Sequence, residues 1–189
     1  MSSNKKLEDF ILHKNIFSKK LADRILKEYK EELFDRDSHH NKETRFLGSL
    51  EISNRSITNS KNSYVRAKII EEIQDQINSV VIEYNRHINV KGLPIEESSP
   101  FSLRQMKEGD WYGEHDDDGV GKYTGSYKFT ISICLNEEYE GGEFTFFEDS
   151  LIYPLKKGDV IMFPSSFMFP HSVKKIIKGT RYQLILWLR

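Results

Sequence analysis

The run Arg181–Leu188 is apolar on both of its faces, and this constrains the fold more than any other stretch of the 189-residue chain. Alternate residues of extended backbone share a face. Tyr182, Leu184, Leu186 and Leu188 therefore fall on one side, and Arg181, Gln183, Ile185 and Trp187 on the other. Such a strand needs two covers. One is supplied by two amphipathic stretches upstream. Leu21, Ile25, Leu26, Tyr29 and Leu33 recur at helical spacing behind Ser18, a plausible N-cap, after a first strand within Phe10–Phe17. Val65, Ile69, Ile70, Ile73, Ile77, Val80, Val81, Tyr84 and Ile88 make a second, longer stripe. From Pro100 onward the chain changes to short apolar runs separated by glycines. These are Phe101–Met106, Tyr127–Leu135, Gly142–Phe147, Leu151–Pro154, Asp159–Phe163, His171–Ile177 and Arg181–Leu188. The expectation is a mainly β protein, an antiparallel sandwich or barrel with N-terminal helices against one sheet. Asp35–Asn62 reads as a long polar loop with one short strand around Phe46–Ile52.

Length points to one domain, residues 1–189. Basic and acidic residues balance, 28 against 29, so no global field draws in nucleic acid or an anionic membrane. The single cysteine, Cys134, cannot form an internal disulfide and reads as a buried structural thiol. No stretch approaches membrane-spanning length, and Met1–Asp9 is polar with no apolar leader core. A cytoplasmic protein, monomer or homodimer, is expected.

Three side chains carry the chemistry. His115 and Asp117 lie two apart, so an extended segment aims both at one ion while Asp116 points away. His-x-Asp alone is a weak signal. His171 strengthens it, because two imidazoles and one carboxylate are the donor set of a non-haem Fe(II) site that keeps positions open. Zinc suits the same ligands. Calcium does not: a loop opening at Glu114 would need a bidentate Glu at its twelfth position, which is Gly125. His13, His39, His40 and His87 fall in loop or helix segments and read as solvated.

Arg181 is the fourth candidate. A guanidinium on an otherwise apolar strand face needs a partner, and a carboxylate is the natural bidentate one; a salt bridge to a nearby acidic residue is the bland alternative. For Arg181 to share a face with His171, the turn expected at Lys178–Thr180 must be irregular, with Gly179 left-handed or the strand bulged.

Taken in order, Leu103–Met106, Trp111–Asp117, Ile133–Asn136, Gly141–Phe144, Lys157–Asp159, Phe163–Pro164, Pro170–Val173 and Gly179–Arg181 resemble the Fe(II)/2-oxoglutarate-dependent dioxygenases, in their prolyl 4-hydroxylase-like branch. The resemblance spans Phe101–Arg189. It implies a double-stranded β-helix, or jelly roll, with residues 96–189 as catalytic core and 1–95 as helical support and loop. It implies His115, Asp117 and His171 as iron ligands, Arg181 as anchor of the distal carboxylate of 2-oxoglutarate, Tyr112 at the site mouth and Gln183 as a further cosubstrate donor. Phe144 and Cys134 depart from the family's usual residues. Fe(II), 2-oxoglutarate and O2 follow as cofactors, with ascorbate brought in by the same resemblance. The implied reaction hydroxylates a prolyl residue of a protein or peptide, as procollagen-proline 4-dioxygenase does, and converts 2-oxoglutarate to succinate. Other substrates (a lysyl residue, a free amino acid, a small molecule) stay open, as do a non-catalytic jelly-roll binding module and a zinc hydrolase. Asp118–Ser126, with three glycines, is expected to be a lid or a connector, and Trp111, Tyr123 and Tyr127 to line a peptide groove or simply pack.

Overall fold

The computed structural model describes residues 4–32, 34–35, 45–53, 62–93, 95, 98–118 and 127–189. Two α-helices and twelve strands occur among the described residues, most of them where the sequence suggested. β1 (Leu12–Asn15) leads into α1 (Lys19–Tyr29), β2 (Arg45–Phe46) and β3 (Gly48–Ile52) precede α2 (Ser63–Ile88), and β4 (Phe101–Lys107) opens the β-rich half. Then come β5 (Trp111–His115), β6 (Phe129–Cys134), β7 (Tyr139–Gly141), β8 (Phe144–Phe146), β9 (Leu151–Tyr153), β10 (Asp159–Pro164), β11 (His171–Val173) and β12 (Ile176–Leu188). Of these, β5 and β7 were not foreseen as strands. Both carry glycine and polar residues where an apolar run would have marked them.

Local sequence explains the helices. The Ser18 hydroxyl accepts from the Leu21 N–H at 3.2 Å and caps α1. Asn89 ends α2 in the left-handed conformation (φ 56°) that asparagine tolerates. Arg66 bonds Glu28 at 2.8 Å, tying α2 to α1. Neither described helix is long and apolar enough to cross a membrane.

The strands form two antiparallel sheets. The major sheet runs β1-β10-β6-β12-β4-β3, and the minor sheet β2-β5-β11-β8-β9. Two apolar cores result. The outer one joins Leu21, Ile25, Ile73, Ile77, Tyr84, Leu184 and Leu186, helices against the outer face of the major sheet. The inner one joins Met106, Cys134, Ile161 and Phe163 of the major sheet to Tyr112, Phe144, Phe146 and Val173 of the minor. The two sheets thus face each other as a jelly roll backed by helices.

The turn expected at Lys178–Thr180 does not exist. β12 is continuous over thirteen residues. Its first part pairs with β7, and from Thr180 it pairs with β4 and, from Gln183, with β6. The irregularity sits inside the strand: the register with β7 shifts between Ile176 and Lys178, and Gly179 has φ 81° with Glu138 O only 2.7 Å from where a Cβ would stand. The chain instead leaves the minor sheet at Lys174–Lys175. His171 and Arg181 therefore stand on opposite sheets, and hairpin register plays no part. Residues 36–44 and 54–61 of the expected long loop, Leu33, and residues 119–126 of the expected lid, with Tyr123, lie outside the described residues.

Candidate active site

Antiparallel pairing sets His171, first residue of β11, directly opposite His115, last residue of β5. Asp117 follows two residues beyond β5 and folds back between them. His115 Nε2 lies 3.5 Å from Asp117 Oδ1, and His171 Nε2 3.7 Å from Asp117 Oδ2. The three ligand atoms fall within 4.8 Å of one another.

The surroundings fix each side chain. His115 Nδ1 is 2.9 Å from Gly113 O, and His171 Nδ1 is 3.1 Å from Phe169 O. A carbonyl can only accept, so both imidazoles donate from Nδ1 and point Nε2 toward Asp117. Thr130 donates its hydroxyl to Asp117 Oδ2 at 2.7 Å and lies 2.9 Å from the Ser165 hydroxyl. Aromatic rings lock the imidazoles. Tyr112 stacks on His115 at 3.8 Å between centroids, Phe144 lies parallel to His171 at 5.4 Å, and Phe163 meets it edge-on at 4.8 Å.

Charge follows from these contacts. Burial pushes His171 down to about 4, with the Asp117 carboxylate opposing that shift. Burial by itself would raise Asp117, but the hydrogen bond and charge of His115, the charge of His171 and the Thr130 hydroxyl together hold it well below the usual carboxylate range. At neutral pH the cluster is one carboxylate with a neutral His171, the state a divalent cation requires.

Arg181 lies on β12 in the facing sheet, fully buried. Its Nη1 bonds Gln183 Oε1 and touches Met106 Sδ at 3.5 Å. Gln183 in turn donates to Ser132. Gln183, Met106 and Ser132 line the pocket that also holds the three ligand residues, so Arg181 touches that pocket's lining through Gln183 and Met106. Its Nε and Nη2 are buried and find no hydrogen-bond partner among the described residues. Tyr139 comes near enough for the guanidinium to act on its phenol, which burial nevertheless raises. A buried guanidinium with two nitrogens left over needs an anion.

The donor chemistry thus fits both implied groups: two imidazoles and a carboxylate for Fe(II), orphaned guanidinium donors for the acid cosubstrate. Of the six residues singled out from sequence, His115, Asp117, His171, Tyr112 and Gln183 line one pocket, with Tyr112 stacked on His115, and Arg181 meets that lining through its bond to Gln183. Of the groove aromatics, Trp111 lines an open groove beside the site, whereas Tyr127 stacks on Trp187 at 5.7 Å. Among the other histidines, His13 reaches Asp159 at 3.2 Å rather than standing free, His87 is exposed, and His39 and His40 lie outside the described residues.

Two features were missed. The Thr130–Ser165 pair could be seen only once β6 and β10 paired. Arg104 could have been noticed as an arginine inside the apolar strand Phe101–Met106.

The rim of the groove is held under strain. Phe147, Glu148 and Asp149 have φ of 56°, 50° and 67°, a left-handed turn that costs roughly 1–2 kcal/mol per residue. Its anchors are the Glu114 carboxylate accepting from Glu148 N at 2.7 Å, Pro170 O accepting from Phe147 N at 3.0 Å and an ion pair between Asp149 and Lys174.

Residues 101–189 match the family model described as 2OG-Fe(II) oxygenase superfamily. A PKHD-type hydroxylase of Prochlorococcus marinus is 29% identical over 133 residues, covering 68% of this chain and 56% of that protein. The chain spans between 36% and 56% of the length of the curated relatives it matches. In fold, it resembles the viral collagen prolyl hydroxylase of Paramecium Bursaria Chlorella virus-1 (TM-score 0.68, 14% identity, 95% of this chain and 96% of that one). It also resembles a prolyl hydroxylase of Trichoplax adhaerens solved with a hypoxia inducible factor peptide fragment (TM-score 0.71, 15% identity, 95% and 83%).

Proposed function

We propose, from the premise that this chain belongs to the 2OG-Fe(II) oxygenase superfamily in its prolyl 4-hydroxylase-like branch, that it hydroxylates a prolyl residue in a protein or peptide. The observation that carries this reading is the pairing of a His-Asp-His cluster on one sheet with a buried, donor-rich Arg181 on the other. His115, Asp117 and His171 would hold Fe(II), and Arg181, with Gln183 beside it, would anchor 2-oxoglutarate.

When bound, iron and 2-oxoglutarate together supply oxidative decarboxylation of the keto acid by O2, which puts one oxygen atom into succinate and the other into a substrate C–H bond. The chain's own residues prepare that chemistry. Gly113 O and Phe169 O fix the imidazole tautomers, and Thr130 orients the carboxylate. Tyr112, Phe144 and Phe163 keep the rings in place and exclude water. Arg181 and Gln183 present donors toward an acid from the opposite wall.

A peptide substrate is supported by the open groove lined by Trp111, Glu114, Glu148, Ser172 and Lys174, which shares Tyr112 and Val173 with the pocket. The prolyl hydroxylase neighbours, one of them holding a peptide, point the same way. A cytoplasmic location goes with this reading, since the buried Cys134 thiol needs no oxidising compartment.

The test is anaerobic and aerobic incubation with Fe(II), 2-oxoglutarate, ascorbate and a library of proline-containing peptides. Stoichiometric succinate and one added oxygen per peptide by mass spectrometry are expected, and both should vanish in His115→Ala. Turnover that needs neither O2 nor 2-oxoglutarate would replace this reading with metal-assisted hydrolysis.

A further inference from the structure

A second buried cation faces the same pocket. Arg104 sits in the middle of β4, is only 7% exposed, and lines the pocket with His115, Asp117 and His171. Its guanidinium carbon lies 5.3 Å from the Tyr112 ring centroid and 5.6 Å from that of Trp187, between two aromatic rings. Among the described residues its buried Nε has no acceptor and no carboxylate pairs with it. Ring faces attract a guanidinium, but that attraction does not replace a counter-ion for a cation out of water.

The charges of the loaded site balance without Arg104. A divalent ion would face a dianionic cosubstrate, and Asp117 would offset Arg181. Arg104 is then one surplus positive charge inside a largely enclosed pocket. It is also one ring away from the metal site, because the Tyr112 ring it contacts is stacked on His115 at 3.8 Å. A charge held there without a partner is preorganised for an anion arriving with the substrate.

We infer that Arg104 is a specificity residue that binds a carboxylate of the substrate next to the carbon that is oxidised. This rests on the hydroxylase reading and adds to it the class of substrate. The carboxylate has two sources: the α-carboxylate of the oxidised residue itself, in a free amino acid or at a chain end, or an acidic side chain neighbouring that residue in a peptide.

Calorimetry on the full chain loaded with Mn(II) and 2-oxoglutarate separates these without turnover. The probes are N-acetylproline against its amide, and N-acetyl-Pro-Asp-amide against N-acetyl-Pro-Asn-amide. The wild-type protein is expected to bind the carboxylate member of one pair at least about tenfold more tightly, and that pair identifies the source. Arg104→Met should abolish the difference and Arg104→Lys keep part of it, with melting curves recorded for both. If either variant fails to fold, the wild-type preference and the other variant decide. Equal affinities within both pairs, no binding of any probe, a preference that survives Arg104→Met, or loss of 2-oxoglutarate affinity in that variant with the preference intact would each overturn the inference. Failure of the wild-type protein to take up Mn(II) and 2-oxoglutarate defeats the hydroxylase reading itself, and this inference with it.

Discussion

Over Arg181–Leu188 the two faces of β12 hold four residues each, yet they do opposite work. Outward, Tyr182, Leu184, Leu186 and Leu188 pack on the helices, an apolar seam. Inward, Arg181 and Gln183 are buried as deeply as those leucines but leave donors unsatisfied or spent on one another. Apolar burial at about 25 cal/mol per Å2 holds the fold together, and a buried guanidinium draws on that stability. The same contrast separates two carboxylates. Asp159 is permanently satisfied by Lys156 N (2.8 Å), Asn15 Nδ2 (2.7 Å) and His13 (3.2 Å). Asp117 has one hydroxyl donor and two imidazoles whose lone pairs a metal would use. Stability lies where every polar group has a partner, and reactivity where partners are withheld.

Several changes would break or sharpen this contrast. The largest effect is expected from Asp117→Ala, which should lower 2-oxoglutarate turnover by at least about a thousandfold, roughly 4 kcal/mol, and abolish Fe(II) binding by calorimetry. Its urea midpoint should stay near wild type. Leu186→Ala should do the reverse, losing about 2–5 kcal/mol in urea unfolding while the folded fraction binds metal normally. Equal functional loss in both variants would dissolve the distinction between the faces.

Thr130→Val should weaken metal affinity about 10- to 100-fold by freeing the Asp117 carboxylate to rotate, with little change in melting temperature. The smallest effect concerns Asp159. Burial would raise its carboxyl, but the Lys156 N–H, Asn15 and His13 hold it below the ordinary 3.8. A depressed folded value means that the folded state resists protonation, so the stabilisation is complete above that range and lost as pH falls through it. Asp159→Asn should cost about 1–3 kcal/mol at pH 7 and flatten the acid limb of a stability-versus-pH curve, read by denaturant melts from pH 7 to 3. An unchanged acid limb would remove Asp159 from the account.

Much of the scaffold was legible because it is local. Ser18 caps α1 as its chemistry suggests, the α2 stripe buries Ile69, Ile73, Ile77, Val80, Tyr84 and Ile88, and the alternation of β12 sorts its residues onto two cores. Spacing also put His115 and Asp117 on one side. Strands β5 and β7 were missed because their pairing, not their composition, makes them strands: β5 is held by β2 and β11, and β7 by β12.

The amino-acid sequence by itself determined the periodicities, the cap, the ligand types and the need for a partner at Arg181. These depend on a residue and its near neighbours, whose geometry backbone stereochemistry fixes. Only the tertiary structure decided that β12 continues through Gly179, that His171 and Arg181 stand on opposite sheets, and that Arg104 enters the pocket of the three ligand residues. Those facts depend on which distant strands pair, and pairing is settled by the joint burial of both cores rather than by any local run of residues.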